Sequence, residues 1–475
     1  MKRRTKIIAS IGPTSSDDVT IRAMIENGMN VARLNLSHGT VEDAIGRLKQ
    51  IRAIAEELDT YVGIMADLPG PKVRMGEFAD PVELEVNSEL LLQPGKEMST
   101  KERIFVDYET LLTDIETGDR LSVGDGGIIF EIIDYEPNAL RARVVYGGKT
   151  QGRPGLHIPS DRLRITTPTP EDLRLIDVLV EHDVDMIALS FVRSAHDVRR
   201  VGVEPTPRGP LVVAKIETQA AVLNLDGIIA ESGAIMVARG DLGTECSIEA
   251  LPHLQKEIIA RCIALGRPAI TATQMLESMT SAPSPTRAEA SDVANAVFDG
   301  TSAVMLSAET AVGNDPAHVI KTMATIAERA DQHFDYEGWA RRLKREQLAE
   351  PQSTDSAVTD VMTLATWQAA REIDAKAIIC ISRSGFTVRA MARFRPDIPI
   401  LACSPEDRTL RQLTMSWGAA PLKIDRIDDN VRTVVNALEL AKAQGTVRAG
   451  DIVAVLHGSS ANIGVTDTLR MVRCP

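Results

Sequence analysis

The chain has 475 residues, of which 44% are hydrophobic and 25% charged, an ordinary globular composition. Its length is too great for one hydrophobic core, and about two to four domains are expected. Lysine and arginine number 53 against 66 acidic residues, so the net charge is −13. This excess argues against coating of nucleic acids or anionic membranes, because both require basic patches.

The start of the chain, Met1-Lys2-Arg3-Arg4, is basic but lacks the apolar segment that follows in a secretory leader. No stretch approaches the ~18 consecutive apolar residues of a membrane span. Five cysteines are scattered without a Cys-x-x-Cys pair, which is typical of a reduced protein. We therefore expect a cytoplasmic protein with neither membrane nor nucleic acid as a partner.

Strand and helix patterns alternate at the start of the chain. They predict strands over residues 5–11, 31–36 and 62–67, with helices over 17–27 and 41–58. The alternation stops at Leu68-Pro69-Gly70-Pro71, because two prolines and a glycine exclude a regular element.

A β-rich segment follows, from about residue 72 to residue 161. Its predicted strands are 121–123, 127–133 and 140–146. The alternation resumes after the capping signal Thr169-Pro170-Glu171-Asp172, with strands predicted over 186–191, 211–216, 234–238, 268–273 and 302–306. Three strands before the interruption and five after it make eight βα units. We therefore predict a (β/α)₈ TIM barrel with a β-barrel domain inserted after its third strand.

The last part of the chain has its own α/β pattern. The charged stretch 341–346 and the polar residues 351–354 are interpreted as a linker. Strands predicted over 377–381, 398–403, 420–424 and 452–456 indicate an open α/β sheet domain. The predicted limits are 1–70 and 162–340 for the barrel, 71–161 for the inserted domain and 353–475 for the C-terminal domain.

Polar residues cluster where the predicted barrel strands end, which is where such barrels place their active sites. Lys215 and Glu217 stand two apart, so on a strand they share one face. Glu217 and Asp241 are hard oxygen donors that follow adjacent strands, as in sites for Mg²⁺ or Mn²⁺ completed by water and substrate oxygens. The alternative is a simple salt bridge between Lys215 and Glu217 at the rim.

Seven longer motifs occur in order along the chain. They are Thr5-Lys6-Ile7-Ile8-Ala9-Ser10-Ile11-Gly12-Pro13, Ala32-Arg33-Leu34-Asn35-Leu36-Ser37-His38-Gly39, Lys215-Ile216-Glu217, Val237-Ala238-Arg239-Gly240-Asp241-Leu242-Gly243, Ala272-Thr273-Gln274-Met275-Leu276-Glu277-Ser278-Met279, Pro285-Thr286-Arg287-Ala288-Glu289 and Asp292-Val293-Ala294-Asn295-Ala296. With them the chain resembles the pyruvate kinase family in its bacterial form. The resemblance covers the barrel and the C-terminal domain and is weakest in the inserted domain. It implies transfer of the phosphoryl group of phosphoenolpyruvate to ADP, giving pyruvate and ATP in the last step of glycolysis, by a homotetramer.

The resemblance also implies roles at the barrel rim. Arg33 binds the transferring phosphate, and Lys215 stabilises the transition state. Thr273 binds substrate and, with water, takes part in protonating the enolate. Glu217 and Asp241 hold Mg²⁺ or Mn²⁺. The substrate-binding set is Arg33, Lys215, Gly240, Asp241 and Thr273.

The nucleotide is expected near Arg74 and His38. A lysine that the family carries at the end of the inserted domain is not clear here, and Arg153 is the nearest candidate for that contact. An insert on proline and glycine hinges beside a barrel mouth suits a lid that excludes water. The alternative is a rigid decoration of the barrel.

One departure from the family concerns the monovalent cation. Many members bind K⁺ through residues that match Asn35, Ser37, Asp67 and the carbonyl of Leu68. The K⁺-dependent members carry threonine at the Leu68 position and glutamate at the Lys72 position. An ammonium group carries the same charge as K⁺, so we predict that Lys72 replaces the ion and that K⁺ is not required. The alternative is that Lys72 simply points to solvent.

A second expected ligand site follows the first predicted strand of the C-terminal domain. Ser382, Arg383, Ser384, Gly385 and Thr387 combine hydroxyls, glycine and free N–H groups at a helix start, which favours an anion. This loop resembles the family's effector loop, which implies a sugar phosphate or AMP as an allosteric ligand. The alternatives are an inherited loop without a ligand and a site for a buffer anion.

Three classes of function therefore compete. The first is pyruvate kinase. The second is another Mg²⁺-dependent, enolate-forming barrel enzyme, such as a lyase or aldolase, which needs neither a lid nor a nucleotide. The third is a catalytically inactive regulator that binds sugar phosphates; it is disfavoured because Arg33, Lys215, Glu217, Asp241 and Thr273 are all present.

Overall fold

The first three barrel strands alternate with helices, as predicted. The structure, a computed structural model, describes residues 3–124, 127–349, 354–425, 430–458 and 465–475. The first elements are β1 (Lys6–Ser10), α1 (Asp18–Glu26), β2 (Val31–Asn35), α2 (Val41–Glu57) and β3 (Gly63–Asp67), with a 3₁₀ turn at Pro13–Ser15. Local chemistry explains where the helices begin. Asp17 accepts a hydrogen bond from the Thr20 N–H at the start of α1, and Thr40 and Asp43 form a capping box before α2.

The inserted segment is all-β apart from one helical turn. Its elements are β4 (Phe78–Leu84), β5 (Glu89–Pro94), β6 (Arg103–Val106), α3 (Leu111–Asp114), β7 (Arg120–Val123), β8 (Ile128–Glu136), β9 (Ala139–Tyr146), β10 (Gly148–Gly152) and β11 (Leu156–His157). Six strands form one sheet in the order β11-β7-β8-β9-β5-β6, and β4 pairs with β10. The segment has its own hydrophobic core, around the fully buried Phe130 and Leu92. The sequence pattern predicted β7, β8 and β9 but not the other five strands.

The remaining barrel strands alternate with helices again. They comprise α4 (Pro170–Glu181), β12 (Met186–Leu189), α5 (Ala195–Arg199), β13 (Leu211–Ile216), α6 (Gln219–Leu223), α7 (Leu225–Glu231), β14 (Ala234–Ala238), α8 (Arg239–Glu245), α9 (Leu251–Ala264), β15 (Ala269–Ala272), a 3₁₀ turn at Glu277–Thr280, α10 (Arg287–Asp299), β16 (Ala303–Leu306), α11 (Ala308–Ala311) and α12 (Pro316–Gln332). Eight parallel strands close in the order β1-β16-β15-β14-β13-β12-β3-β2, which confirms the predicted (β/α)₈ barrel.

The C-terminal part is an open sheet with helices. Its elements are α13 (Tyr336–Ala349), α14 (Thr354–Glu372), β17 (Ala377–Ile381), α15 (Phe386–Ala392), β18 (Ile400–Ser404), α16 (Asp407–Leu413), β19 (Ala419–Lys423), α17 (Asn430–Ala443), β20 (Ile452–His457) and β21 (Thr468–Arg473). The strand order is β19-β18-β17-β20-β21. All pairs are parallel except β20 with β21, an antiparallel edge strand that the sequence pattern did not predict.

The interpretation of residues 341–346 as a linker is wrong. They lie within α13, because this segment is amphipathic rather than merely charged. Trp339, Ala340 and Leu343 are at most 7% exposed and join the main hydrophobic core, while the charged residues between them face solvent. Of the polar stretch, residues 351–353 lie outside the described residues.

The C-terminal domain closes the floor of the barrel, at the end where the strands begin. Met415 packs with the barrel's inward-facing residues, among them Ile8 and Met65. Arg411 pairs with the buried carboxylate of Asp185 at 2.6 Å across the same boundary. These contacts leave the opposite end of the barrel, where the strands end, open for a ligand.

Within the described part of the chain, no helix combines the length and the apolar character needed to cross a membrane. All five cysteines are free thiols, and four of them are buried.

Candidate active site

A cleft of about 750 Å³ opens at the ends of the barrel strands. Predicted site residues that line it are Arg33, Asn35, His38, Gly240, Asp241 and Thr273. Other lining residues include Ser10, Gly12, Pro13, Gln274, Glu277 and Ser307. The cleft is therefore built from the ends of β1 and β2 and of β14, β15 and β16, two groups of strands that are far apart in the sequence.

Asp67, the last residue of β3, is the centre of the charged network below this cleft. Its carboxylate is 2% exposed and is held on both oxygens: Arg33 Nε donates to Oδ2 at 2.7 Å, and Lys215 Nζ lies 3.2 Å from Oδ1. Burial raises the pKa of Asp67, but the charges of Lys215 and Arg33 outweigh it and leave the pKa below its ordinary value. The network thus holds two cations in place around one ionised acid.

Lys215 contacts three side chains of the site: Asp67, Glu217 and Ser190. Its ammonium group lies 2.7 Å from Glu217 Oε1 and donates to Ser190 Oγ at 2.8 Å. Burial alone would lower the pKa of Lys215, but the neighbouring carboxylates, Asp67 first, raise it above the ordinary lysine value. Lys215 is therefore a permanent cation at the strand ends.

Glu217 lies beside it at the end of β13 and is 1% exposed. Its Oε2 accepts a hydrogen bond from the Phe191 N–H at 2.7 Å, whereas its buried Oε1 faces the ammonium group of Lys215. Burial raises the pKa of Glu217 to about 7; Lys215 opposes this rise and the negative charge of Asp241 adds to it.

These two carboxylates fit a divalent metal ion. Glu217 and Asp241 are hard oxygen donors. Burial and repulsion from Asp241 both raise the pKa of Glu217, and a cation between the two carboxylates would offset both effects by stabilising their negative charge. Across the described ranges, no cluster of three or more histidine, cysteine or acidic side chains is arranged for metal binding. A metal ion here would need water or substrate oxygens to complete its coordination.

Thr273, immediately after β15, has a strained backbone with φ of +66°, and Gln274 follows with φ of +53°. Arg239 holds this turn, because its Nη2 donates to the Thr273 carbonyl at 2.7 Å while Nη1 pairs with Asp292 at 2.8 Å. The Gly240 N–H donates to Thr273 Oγ1 at 2.9 Å. The threonine hydroxyl, which also donates to the Ala272 carbonyl at 2.7 Å, thus lies at the start of α8.

The residues of the family's K⁺ site have protein partners in this structure. The Ser37 N–H donates to Asn35 Oδ1 at 3.1 Å, and Ser190 Oγ donates to the Leu68 carbonyl at 2.7 Å. Lys72 is exposed, and its side chain lies next to Gly155 of the inserted domain. Lys72 thus lies at the boundary between barrel and inserted domain.

The three residues predicted for the nucleotide lie along this boundary. Burial, followed by the positive charges of Lys72, Arg74 and Arg33, lowers the pKa of His38. Arg74 Nη1 donates to the Arg153 carbonyl at 3.3 Å. The Arg153 side chain is exposed and lies 3.4 Å from Asp107 within the inserted domain.

The inserted domain is also fastened to the barrel through Glu245, at the end of α8. Its carboxylate is nearly buried, lies 3.0 Å from His157 Nε2 and accepts the Ser160 N–H at 2.9 Å. Glu245 was not predicted from the sequence, because a lone acid in a helix carries no signal of a partner from a distant segment.

The C-terminal loop predicted for an effector turns sharply at Gly385, whose φ is +75°. Arg383 lies 3.3 Å from Glu406, and Thr387 Oγ1 lies 2.6 Å from Thr466 Oγ1. Ser382 is half-buried, as is Ser384. The loop is therefore ordered by contacts within its own domain.

Ser10 and Ser190 are site residues whose part in the charged network the sequence did not indicate. Ser10 Oγ accepts a hydrogen bond from Arg33 Nη1 at 2.7 Å, and Ser190 Oγ links Lys215 to the Leu68 carbonyl. Both end or directly follow a barrel strand, which is the signal that could have identified them. Serines are common residues, so their place at a strand end did not indicate which side chains they would bond.

Comparisons with known proteins match the whole chain to one family. A family model described as "Pyruvate kinase, barrel domain" matches residues 2–320, and one described as "Pyruvate kinase, alpha/beta domain" matches residues 360–472. The chain is 35% identical over 476 residues to a pyruvate kinase of Clostridium acetobutylicum, covering 99% of both chains. It is 36% identical over 476 residues to one of Staphylococcus aureus, covering 99% of this chain and 80% of the relative.

A solved structure is similar over the same extent. A crystal structure of a pyruvate kinase from Cryptosporidium parvum superposes with a TM-score of 0.91 at 32% identity, covering 100% of this chain and 96% of that one.

Proposed function

The chain belongs to the pyruvate kinase family, and from this premise we propose how its own residues transfer the phosphoryl group of phosphoenolpyruvate to ADP. Proteins of this family are phosphotransferases whose products are pyruvate and ATP. One observation carries the assignment of residues: a buried ammonium group, Lys215, is held between the carboxylates of Asp67 and Glu217 next to the open cleft.

Phosphoryl transfer needs positive charge and in-line positioning more than covalent help. Arg33 supplies a planar guanidinium that suits phosphate oxygens, and its Nε is already oriented by Asp67. Lys215 supplies a second cation, which faces the transferring phosphoryl group and the enolate oxygen that develops negative charge. Because both cations are held before substrate binds, little reorganisation is needed in the transition state.

Glu217 and Asp241 would hold a divalent ion, as the family generally requires. When bound, Mg²⁺ or Mn²⁺ supplies positive charge for the oxygens of the substrate. The support for this role is that both side chains offer hard oxygen donors and that Glu217 is buried, with Lys215 Nζ 2.7 Å from its Oε1. Gly240, at the start of α8, lines the cleft next to Asp241.

Thr273 binds the three-carbon part of the substrate and, with water, takes part in delivering a proton to the enolate carbon. The support is the strained turn that presents its hydroxyl and the clamp that Arg239 provides. Strained backbone conformations are common at active sites, where they hold a side chain in the position that the reaction needs.

The inserted domain, residues 71–161, acts as a lid that excludes water, and ADP binds beneath it near Arg74, His38 and Arg153. The support for the lid is a cavity of about 110 Å³ between the two domains, whose walls include Lys72 and Asp241. The support for the nucleotide is that His38 lines the main cleft and that the charges of Lys72 and Arg74 act on it. A closed, dry site would protect phosphoenolpyruvate from hydrolysis.

K⁺ is not required for activity. The negative charge of Asp67, which matches an acid of the family's K⁺ site, is neutralised by Arg33 and Lys215. The ammonium group of Lys72 adds a further positive charge near His38, at the same end of the barrel. An additional monovalent cation would therefore meet a site whose negative charge is already neutralised.

An anionic effector, a sugar phosphate or AMP, binds the loop of Ser382, Arg383, Ser384, Gly385 and Thr387. The support is its hydroxyls and its left-handed glycine beside Arg383. Thermal unfolding with ribose 5-phosphate, glucose 6-phosphate, fructose 1,6-bisphosphate and AMP tests this, with Arg383→Met as the variant. A shift in the wild type that the variant loses is expected, and no shift with any of the four would contradict the proposal.

The protein works as a homotetramer in the cytoplasm. The tetramer is the expectation for the family, and light scattering coupled to size-exclusion chromatography checks it: four times the 51.5 kDa chain mass is expected. The free thiols suit a reducing compartment.

The activity itself is tested by a lactate-dehydrogenase-coupled assay with phosphoenolpyruvate, ADP and Mg²⁺. Formation of pyruvate that depends on ADP is expected. Pyruvate formed without ADP would indicate a different enolate-forming enzyme, and no turnover by folded protein would indicate a regulator.

A further inference from the structure

A small cavity of about 20 Å³ lies between the floor of the barrel and the C-terminal domain, at the opposite end of the barrel from the candidate active site. Its barrel wall consists mainly of residues just before β15 and β16. Its other wall consists of residues in and just after α15, together with Ser416 and Trp417, which follow α16. None of its lining residues belongs to the cleft or to the loop predicted for an effector, although Arg389 contacts that loop through the Ser384 carbonyl.

Positive charge is concentrated around this cavity. Arg267, Arg389, Arg393 and Arg395 all line it, and the last three are at most 7% exposed. Arg393 pairs with Asp360. Arg267, Arg389 and Arg395 have no carboxylate within ion-pair distance in the ranges that the structure describes. Three buried or half-buried cations thus share one small space without a matching anion.

Several donors at this cavity also lack an acceptor. Arg389 Nη2 donates to the Ser384 carbonyl at 3.1 Å, and Arg395 Nη2 donates to the Thr301 carbonyl at 2.7 Å. Among the described residues, however, the Nη1 atoms of Arg389 and Arg395 are buried and have no hydrogen-bond partner. The same holds for Ser416 Oγ and Trp417 Nε1, which line the same cavity.

Buried donors without acceptors, and buried charges without counter-charges, both destabilise a folded protein. Burial lowers the pKa of Arg389 to about 9, with Arg267 adding repulsion, and lowers that of Arg395 to about 10. The rings of Phe334, Trp339 and Trp417 stabilise Arg395 through cation–π contacts but leave its Nη1 unpaired. A water molecule would supply an acceptor but no charge, whereas an anion supplies both.

We propose that this cavity binds one small inorganic anion of the size of chloride, held by Arg389 and Arg395 between the barrel and the C-terminal domain. A volume of about 20 Å³ admits a single water-sized particle and excludes a phosphate ester. The bound anion joins guanidinium groups of the C-terminal domain to Arg267 of the barrel, so it fastens the two domains together.

Bromide provides a direct test with the full chain. Crystals grown without halide and soaked in sodium bromide are expected to show an anomalous peak in the cavity, in hydrogen-bond contact with Arg389 Nη1. In parallel, the melting temperature is measured in sodium chloride and in sodium gluconate at equal ionic strength. The wild type is expected to melt higher in chloride, since only chloride fits the cavity.

Variants separate the site from general salt effects. Arg389→Met is expected to lose the chloride-specific shift, whereas Arg470→Met, at an exposed arginine of β21, keeps it. A cavity without bromide, equal shifts in chloride and gluconate, or a chloride shift that survives in Arg389→Met would each overturn the proposal. If Arg389→Met does not fold, the bromide peak in the wild type decides. Neither measurement uses catalysis, so a failure of the proposed enzymatic roles is recognised separately.

Discussion

The ammonium group of Lys215 donates a 2.8 Å hydrogen bond to the hydroxyl of Ser190, and that hydroxyl in turn donates to the carbonyl of Leu68. The serine thus connects the proposed catalytic cation to the backbone at the end of β3. A lysine with four flexible side-chain bonds would otherwise lose conformational entropy each time it was placed. The contact explains how one position is imposed on Lys215 before substrate binds.

Replacement of this hydroxyl tests its role as a positioning group. Ser190→Ala is expected to lower kcat about tenfold, because a hydrogen bond to a charged group contributes roughly 1.5–3 kcal/mol. The coupled assay measures kcat and the KM for phosphoenolpyruvate. Ser291→Ala, at an exposed position of α10, is the control. An unchanged kcat in Ser190→Ala would show that the other contacts of Lys215 suffice.

Removal of the cation itself has a larger expected effect. Lys215→Met should lower kcat by roughly 10²–10³-fold or more, because a preorganised charge at the transferring group is lost. The melting temperature and far-ultraviolet circular dichroism are expected to show a folded protein, since Glu217 can take up a proton when its partner is removed. Lys321→Met, on the outside of α12, serves as the matched control. Near-normal turnover in Lys215→Met would contradict its assignment.

Metal binding is tested without turnover. Mn²⁺ titrations followed by electron paramagnetic resonance are expected to show binding weakened about tenfold or more in Glu217→Gln and in Asp241→Asn, because each loses a charged ligand. Glu249→Gln, at an exposed position beyond α8, should bind as the wild type does. Equal affinity in all four proteins would place the metal elsewhere.

The response to K⁺ distinguishes the two interpretations of Lys72. In tetramethylammonium buffer without sodium, KCl is expected to change wild-type activity by less than about twofold, because positive charge is already present. Lys72→Glu is expected to create a K⁺ activation of about tenfold or more. Lys149→Glu, in β10 of the inserted domain, controls for the change of charge. Strong K⁺ activation of the wild type would refute K⁺ independence.

Lys6 predicts a pH dependence of stability. Its Nζ donates to the Ala419 carbonyl at 2.6 Å, between the barrel and the C-terminal domain. Burial lowers the pKa of Lys6 to about 7; repulsion from Arg3 adds to this shift and the negative charge of Asp331 opposes it. Between about pH 7 and 10.5 the unfolded chain therefore binds the extra proton, and folded-state stability rises with pH.

The contribution of Lys6 to this rise amounts to at most about 1.4 kcal/mol per pH unit. The difference in melting temperature between the wild type and Lys6→Met is expected to increase as the pH is raised above neutral. The difference in melting temperature between the wild type and Lys321→Met is expected to stay constant over the same pH range. A constant difference in the first comparison would mean that Lys6 keeps its proton in the folded protein.

Much of the fold was predictable because its signals are local. The barrel strands are short apolar runs. Helices α1, α2 and α4 each begin after a capping residue that accepts a hydrogen bond from the backbone N–H three residues later. The linker was predicted wrongly, since the apolar positions of Trp339, Ala340 and Leu343 become informative only when a partner surface covers them. The edge strand β21 was missed because none of its six residues is fully buried, so it shows no apolar run.

Candidate site residues were found by one geometric rule, that parallel barrel strands present their last residues at a common rim. That rule places Lys215, Glu217 and Asp241 together without knowing any distance. It could not show that Asp67 is shared by Arg33 and Lys215, or that Ser190 fixes the lysine, because hydrogen-bond partners depend on the stagger of neighbouring strands.

By itself, the sequence determined the number of strands in the barrel, the place of the insertion and the chemical types gathered at the rim, since each depends on patterns over a few residues. Only the tertiary structure decided how charge is distributed inside an acidic chain of net charge −13. It gathers cations around Asp67 at one end of the barrel, and at the other it buries Arg389 and Arg395 with no ion-pair partner among the residues that the structure describes. Coulomb energies depend on distance and burial, which composition does not contain.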